Sequence, residues 1–349
     1  MTAWLITGAA GFIGTNFLHF TVECDVETIV VFDALTYAGN FENIASLVDG
    51  RRIKFLKGDI CDAGSVGELF ETYDFDCVVH FAAESHVDRS ILGPMPFLRT
   101  NVEGTCVLIE AARRAWQTKR GRRFIHVSTD EVFGDLGPGD PPFTEKSPYR
   151  PSSPYSASKA SADHFVRAWQ RTYGLPAIIV NCSNNYGPWQ FPEKLIPLMI
   201  INAIEKRQLP VYGDGLQIRD WLHVFDHCRA IMAIIEKGEI GRTYVVGGEN
   251  PLTNLDVVRR ICRAVDDALS RRHGTSEELI RHVKDRPGHD RRYVLDPSFL
   301  RMSLRWRPIE EFNVALPSLV HWYLEHADWT NSIRTGAYRQ YYELQYGKR

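Results

Sequence analysis

No apolar run in this 349-residue chain is long enough to cross a bilayer, so a membrane-spanning protein is not expected. Charge of one sign is also missing. Lys and Arg number 41 against 43 Asp and Glu, a net charge of −2, which leaves no broad basic field for nucleic acid. The seven cysteines are odd in number and never spaced Cys-x-x-Cys. They read as reduced, mostly buried thiols of a cytoplasmic protein, not as a disulfide frame or a zinc site. His223 and His227 have i,i+4 spacing but lack the glutamate of His-Glu-x-x-His, so no metal is expected. There is no internal repeat and no low-complexity linker. The first strand pattern starts at Trp4, so a signal peptide is not expected either. With 44% hydrophobic and 24% charged residues, the chain suits one large domain or two intimate ones.

What is present starts at once. Trp4-Leu5-Ile6-Thr7 reads as a short buried strand, followed by Gly8-Ala9-Ala10-Gly11-Phe12-Ile13-Gly14 and a helical pattern. Glycines there permit a tight turn and bring backbone N–H groups to a pyrophosphate at a helix N-terminus. A second apolar strand, residues 28–32, ends at Asp33, about 20 residues past the glycines. Its carboxylate suits adenosine ribose hydroxyls and repels a 2′-phosphate, which favours NAD over NADP. Residues 55–60 form a third strand pattern, ending with Asp59 in reach of an adenine amino group. Residues 77–83 form a fourth, ending in the small Ala82 and Ala83, which let a cofactor lie near the backbone. Strands alternating with helical segments predict an α/β fold with a doubly wound parallel sheet and ligands beyond the strands' carboxyl ends.

A fifth apolar stretch, residues 124–128, leads into Thr129, Asp130 and Glu131. Downstream, Tyr155 and Lys159 stand one helical turn apart, on one face of a helix. On its own such a pair reads as a chance spacing on a solvated helix. In this setting an ammonium about 4 Å from the phenol, at an effective dielectric near 20, favours the phenolate by about 4 kcal/mol, or roughly three pKa units. That predicts a Tyr155 value near 7, suited to acid–base work.

Residues 135–154, rich in glycine and proline, make a long loop of the kind used as lids or binding elements. The division expected is a cofactor-binding domain over residues 1–183, with return segments near 211–248, and a smaller substrate lobe over 184–349. In that lobe Lys194, Arg219, Arg286, Arg291 and Arg292 offer groups for a second diphosphate.

The motifs TGAAGFIG from Thr7, DALTYAGN from Asp33, AAESHVDRSI from Ala82 and STDEVFGDL from Ser128 extend this pattern. So do PSSPYSASKASADH from Pro151, NCSNNYGPWQFPEKLIP from Asn181, QIRDW from Gln217 and DRPGHDRRY from Asp285. Over nearly its whole length the chain resembles the extended short-chain dehydrogenase/reductases, in the branch that dehydrates nucleotide-activated hexoses. Departures are Ala9 for a usual glycine, Ala34 for a common lysine and Phe133 for tyrosine. The resemblance implies a Rossmann-type fold with a smaller C-terminal substrate lobe, NAD kept through turnover, and dTDP-glucose as substrate of a hydro-lyase. It also implies a homodimer joined through residues 102–116 and 156–173. Thr129, Asp130, Glu131, Tyr155 and Lys159 would be catalytic. Cofactor contacts would come from Gly8, Gly11, Phe12, Ile13, Gly14, Asp33, Thr36, Asp59, Ile60, Ala82, Ala83, Thr100, Tyr155, Lys159 and Asn185. Substrate contacts would come from Ser85, Asn184, Lys194, Leu195, Tyr212, Arg219, Asn254, Arg286 and His289.

A 4-epimerase or a UDP-sugar decarboxylase also begins by oxidising C4, and Tyr155 with Lys159 suits all of these. Asp130 beside Glu131 favours a dehydratase, because an epimerase has no leaving group to protonate. A non-catalytic NAD-binding regulator would have no use for the set. Thymidine and uridine differ by one methyl, worth about 1–3 kcal/mol in an apolar pocket, and the residues leave that choice open.

Overall fold

The structure is a computed structural model that describes residues 2–117, 119–334 and 342. Its strands are β1 (Ala3–Thr7), β2 (Thr28–Asp33), β3 (Ile53–Lys57), β4 (Cys77–His80), β5 (Arg123–Thr129), β6 (Ala177–Cys182) and β7 (Asn184–Tyr186). They continue as β8 (Leu209–Tyr212), β9 (Ile218–His223), β10 (Thr243–Val246), β11 (Pro251–Thr253) and β12 (Ile280–Val283). One sheet runs β10-β6-β5-β4-β1-β2-β3, with every neighbouring pair parallel.

Its strands are apolar on both faces because helices cover both. Leu5, Val30, Val78 and Phe124 point to a core with Val66, Leu108 and Val166 from helices Ala63–Thr72, Thr105–Trp116 and Pro154–Tyr173. Their neighbours Ile6, Val31, Val79 and Ile125 point the other way, to Phe17 and Leu18 of helix Phe12–Thr21 and Ile231 of helix Val224–Lys237. The strand order reverses between β1 and β4, which opens a crevice at their carboxyl ends.

A second core joins helices Leu195–Ile204, Asn254–Ala268 and Phe312–Glu325. β11-β9-β7 and β12-β8 are separate small sheets. In the stretch around 211–248, helix Val224–Lys237 and β10 therefore return to the large sheet, whereas β8 and β9 do not.

The long loop differs from a lid. Phe143 bridges to Leu295, the Leu136 amide donates to the Arg292 carbonyl, and Phe133, Phe143 and Tyr149 pack together. Leu136 and Phe143 are buried and Tyr149 is half-buried, so the loop is anchored at these points. Another feature without a sequence signal is a turn of π-helix over Leu98–Gly104, immediately before helix Thr105–Trp116. It brings Thr100 to the crevice and lets Asn101 donate to the Glu84 carbonyl (2.9 Å) and the Ser158 hydroxyl (2.8 Å).

Several histidines are buried in these cores. Burial pushes His126 down to about 4 and His227 down to about 3. Both pKa values are depressed in the fold, so an unfolded chain binds more protons than the folded one below about 6.5. Stability is therefore expected to fall as pH drops from 6.5 toward 4, by on the order of 3 kcal/mol for His126 alone. Melting curves across that window check this, and a melting point independent of pH would contradict it.

Candidate active site

The crevice is a cleft of about 310 Å³ that all fifteen expected cofactor residues line. Gly8 has φ +72°, and a Cβ there would stand 2.5 Å from the Ala82 nitrogen; at Gly14 it would stand 2.3 Å from the Gly8 carbonyl oxygen. Only hydrogen fits at either place. Gly11 caps helix Phe12–Thr21 without a side chain, which leaves the first-turn N–H groups open to an anion. This cradle fits a dinucleotide pyrophosphate. At the end of β2, Asp33 accepts 2.9 Å hydrogen bonds from the Ala10 and Leu35 amides, and Ala34 lines the cleft beside it. Burial raises the Asp33 pKa, and those two bonds oppose the rise. Gly14→Ala is expected to cost about 1–3 kcal/mol through the forced backbone contact. A chemical denaturation midpoint equal to that of the parent would contradict this.

β5 delivers the chemical groups. Its last residue, Thr129, accepts from the Glu131 amide (3.2 Å), starting the turn Asp130–Phe133, and its hydroxyl donates to Asp130 Oδ1 (3.2 Å). Asp130 is 1% exposed, and its Oδ2 has no hydrogen-bond partner among the described residues. Burial and then the Glu131 charge hold the Asp130 carboxyl well above its ordinary range, with Arg219 opposing. Burial also raises Glu131, against Arg286, Arg219 and Lys194. The half-buried Glu131 and the buried Asp130 both line the cleft.

Tyr155 and Lys159 occupy the first turns of helix Pro154–Tyr173. A capping box between Ser153 and Ser156, with Pro154 at the first turn, fixes where that helix begins. Both side chains are buried and line the cleft. Burial first, then Glu131, pushes the Tyr155 phenol well above its ordinary range, with the neighbouring Thr129 hydroxyl acting the other way. This differs from the value near 7 that the spacing suggested. Lys159 Nζ donates to the Val127 carbonyl at 2.8 Å, and burial lowers its own pKa. The simple two-charge picture omitted desolvation of the phenol.

Ser85, Asn184 and Lys194 line the same cleft, and Lys194 Nζ donates to the Ser85 carbonyl at 2.7 Å. Arg219 is 4% exposed, donates to the Ile218 and Asp290 carbonyls (2.8 and 2.9 Å), and lies 4.3 Å from the Tyr293 ring centroid. Tyr212, Arg286 and His289 gather outside the lining. The Tyr212 hydroxyl donates to Asp88 Oδ2 (3.1 Å), Arg286 stands 3.7 Å from Asp88 Oδ1, and His289 sits edge-on to Tyr212. Leu195 packs against the second core and Asn254 opens a helix; neither lines the cleft. Arg291 binds Asp214 and Arg292 binds the Gly137 and Asp140 carbonyls, so both are engaged within the protein. His227 Nδ1 lies 3.0 Å from Asn185 Oδ1 and so orients a cleft residue.

Sequence reasoning missed Glu84, Cys182, Gln190, Phe191 and Glu193 in the lining. Glu193 meets Arg89 at 3.0 Å, whose guanidinium covers the Tyr37 ring at 3.9 Å. Only adjacency to Ala83 and Lys194 hinted at Glu84 and Glu193.

A parallel sheet that ends in this glycine cradle, with Tyr155 and Lys159 on the neighbouring helix, defines an extended short-chain dehydrogenase/reductase. The family model described as GDP-mannose 4,6 dehydratase matches residues 5–318. A dTDP-glucose 4,6-dehydratase of Salmonella typhimurium is 49% identical over 98% of both chains, and one of Neisseria meningitidis is 50% identical over 96% of this chain and 97% of its own. Among solved structures, DesIV, a dTDP-glucose 4,6-dehydratase of Streptomyces venezuelae with NAD and TYD bound, has a TM-score of 0.87 at 43% identity. It covers 95% of this chain and 100% of its own. A UDP-glucose 4-epimerase of Thermus thermophilus in complex with NAD shares the fold (TM-score 0.81) at 27% identity over 93% of this chain and 99% of its own. The chain belongs to the dTDP-glucose 4,6-dehydratases of the extended short-chain dehydrogenase/reductase family.

Proposed function

We propose that the protein is an NAD-dependent hydro-lyase that converts dTDP-glucose into dTDP-4-keto-6-deoxyglucose and water. The observation that carries this reading is Asp130 next to Glu131, facing one cleft with Tyr155 and Lys159. The chemistry supplied by bound NAD is hydride uptake from sugar C4 and hydride return to C6. Around it, Tyr155 acts as its phenolate, favoured by the Lys159 ammonium, and receives the C4 hydroxyl proton, with the Thr129 hydroxyl beside it. Glu131 takes the C5 proton, made acidic by the new ketone. Asp130, kept protonated by burial, gives its proton to the departing C6 hydroxyl. Glu131 then returns a proton to C5, and the proton gathered at Tyr155 restores Asp130. No net oxidation remains.

The roles given to the site residues are part of this proposal, as are the substrate contacts of Ser85, Asn184, Lys194, Leu195, Tyr212, Arg219, Asn254, Arg286 and His289. We assign cofactor binding to residues 1–183 with the returning helix and β10, and nucleotide-sugar binding mainly to 184–349. A homodimer through helices Thr105–Trp116 and Pro154–Tyr173 is supported by the exposed Phe165 and Tyr173 on the second of them. Seven free thiols support a cytoplasmic setting. Among the described residues no helix is long and apolar enough to cross a membrane.

The test is to incubate the protein with dTDP-glucose and, separately, UDP-glucose, without reductant, and to follow product mass. Loss of one water from the thymidine substrate is the expected result. An unchanged mass with a new hexose epimer would overturn the reading.

A further inference from the structure

Behind the cleft lies a set of buried polar side chains that the reaction above leaves unused. Asp163, one helical turn beyond Lys159, is 0% exposed. Its Oδ2 accepts from the Tyr149 hydroxyl (2.7 Å) and from Asn181 Nδ2 (3.2 Å). Its Oδ1 lies 3.1 Å from Nε2 of the buried His126, though not as a well-aligned hydrogen bond. Tyr149 is held in turn by Arg167, whose terminal nitrogen donates to its hydroxyl at 2.6 Å. Asn181 Nδ2 also donates to the Thr129 carbonyl at 3.0 Å. One carboxylate therefore ties the helix of Tyr155 and Lys159 to the end of β5, where Thr129, Asp130 and Glu131 begin.

A carboxylate taken out of water needs compensation, and so does an ammonium. Lys159 is 4% exposed, with the Val127 carbonyl as its hydrogen-bond acceptor. The groups around the pair are His80 from β4, His126 from β5, Asp130 from the turn that follows it, Cys182 from β6, Tyr155 and Arg167 on the same helix, and Tyr149 from the preceding loop. Burial keeps His80 and His126 neutral and pushes Cys182 up to about 12, so none of these three is charged near neutral pH. On Lys159 the Asp163 charge is the foremost influence opposing burial. Burial would raise Asp163, but His126, Lys159 and Tyr149 outweigh it and hold the carboxyl at about 2.

We propose that Asp163 is a positioning residue: its carboxylate is the buried counter-ion that keeps Lys159 charged beside Tyr155, and through Asn181 it sets the Thr129 strand end against that pair. This rests on the proposed role of Tyr155 and Lys159 in C4 oxidation.

The test compares the parent protein, Asp163→Asn and Asp163→Glu, with lysine side chains labelled with a nitrogen isotope and Lys159 followed by NMR across pH. In Asp163→Asn the Lys159 ammonium is expected to titrate about one pH unit lower or more. C4 oxidation is expected to slow at least about tenfold, with its alkaline limb moved down and KM for the sugar nucleotide little changed. Asp163→Glu keeps a carboxylate but displaces it by one methylene, so it should move both in the same direction by less, and it decides the matter if Asp163→Asn does not fold. Folded variants in which Lys159 titrates as in the parent overturn the proposal, since a merely structural aspartate would lower stability and leave that titration in place. If the lysine shift is present but the parent protein does not dehydrate dTDP-glucose, the functional reading fails and the counter-ion role stands.

Discussion

Asp130→Asn is expected to oxidise the substrate at C4 and then stall. An amide side chain retains the size of the carboxyl and its hydrogen bond to Thr129, but it has no acidic proton to give the C6 hydroxyl. Water release should slow by about 10²- to 10⁴-fold, the usual worth of a positioned general acid. On mixing with dTDP-glucose, nicotinamide absorbance should rise and persist, while product forms slowly. Normal dehydration by this variant would remove Asp130 from the mechanism. The assignment also has a pH consequence. A raised carboxyl pKa means that the competent, protonated form is the low-pH one, so elimination should weaken as pH rises through the Asp130 value.

Tyr155→Phe is expected to fail one step earlier. The ring still fills its place, 6.3 Å from Phe97 between centroids, so folding and substrate binding should survive. Without the phenol oxygen there is no acceptor for the C4 hydroxyl proton, and C4 oxidation should fall by about 10²- to 10⁴-fold. Nicotinamide absorbance should then stay flat on mixing, in contrast to Asp130→Asn. A rapid rise in absorbance with Tyr155→Phe would show that another group takes this proton. The high phenol pKa in the structure sharpens the point. Proton uptake at Tyr155 requires positive charge to favour its ionised form, and Lys159, on the same helix and buried in the same cleft, supplies it.

The difference between these two variants rests on features of unequal legibility in the sequence. The glycine turn, Asp33 and the Thr129-Asp130-Glu131 sequence could be read because each sits where an apolar run stops, and such ends fall together in a parallel sheet. Tyr155 and Lys159 could be read from helical spacing. Asp163 could not, because its partners His126, Tyr149 and Asn181 come from other elements and meet it only after folding. The same holds for Glu193 with Arg89, 104 residues apart. The π-helical turn that places Thr100 depends on tight packing of Gly104, where a Cβ would come within 2.6 Å of Ile60 side-chain carbons. Arg291 and Arg292 show the converse error. Their composition suggested phosphate binding, yet tertiary partners Asp214 and the Gly137 and Asp140 carbonyls occupy them.

The central claim is that one cleft removes a hydride from C4 and delivers it to C6 of the same sugar. The direct measurement uses dTDP-glucose carrying deuterium at C4, with NMR of the product. The account predicts deuterium at C6. Loss of the label from the product, or its retention at C4, would contradict it.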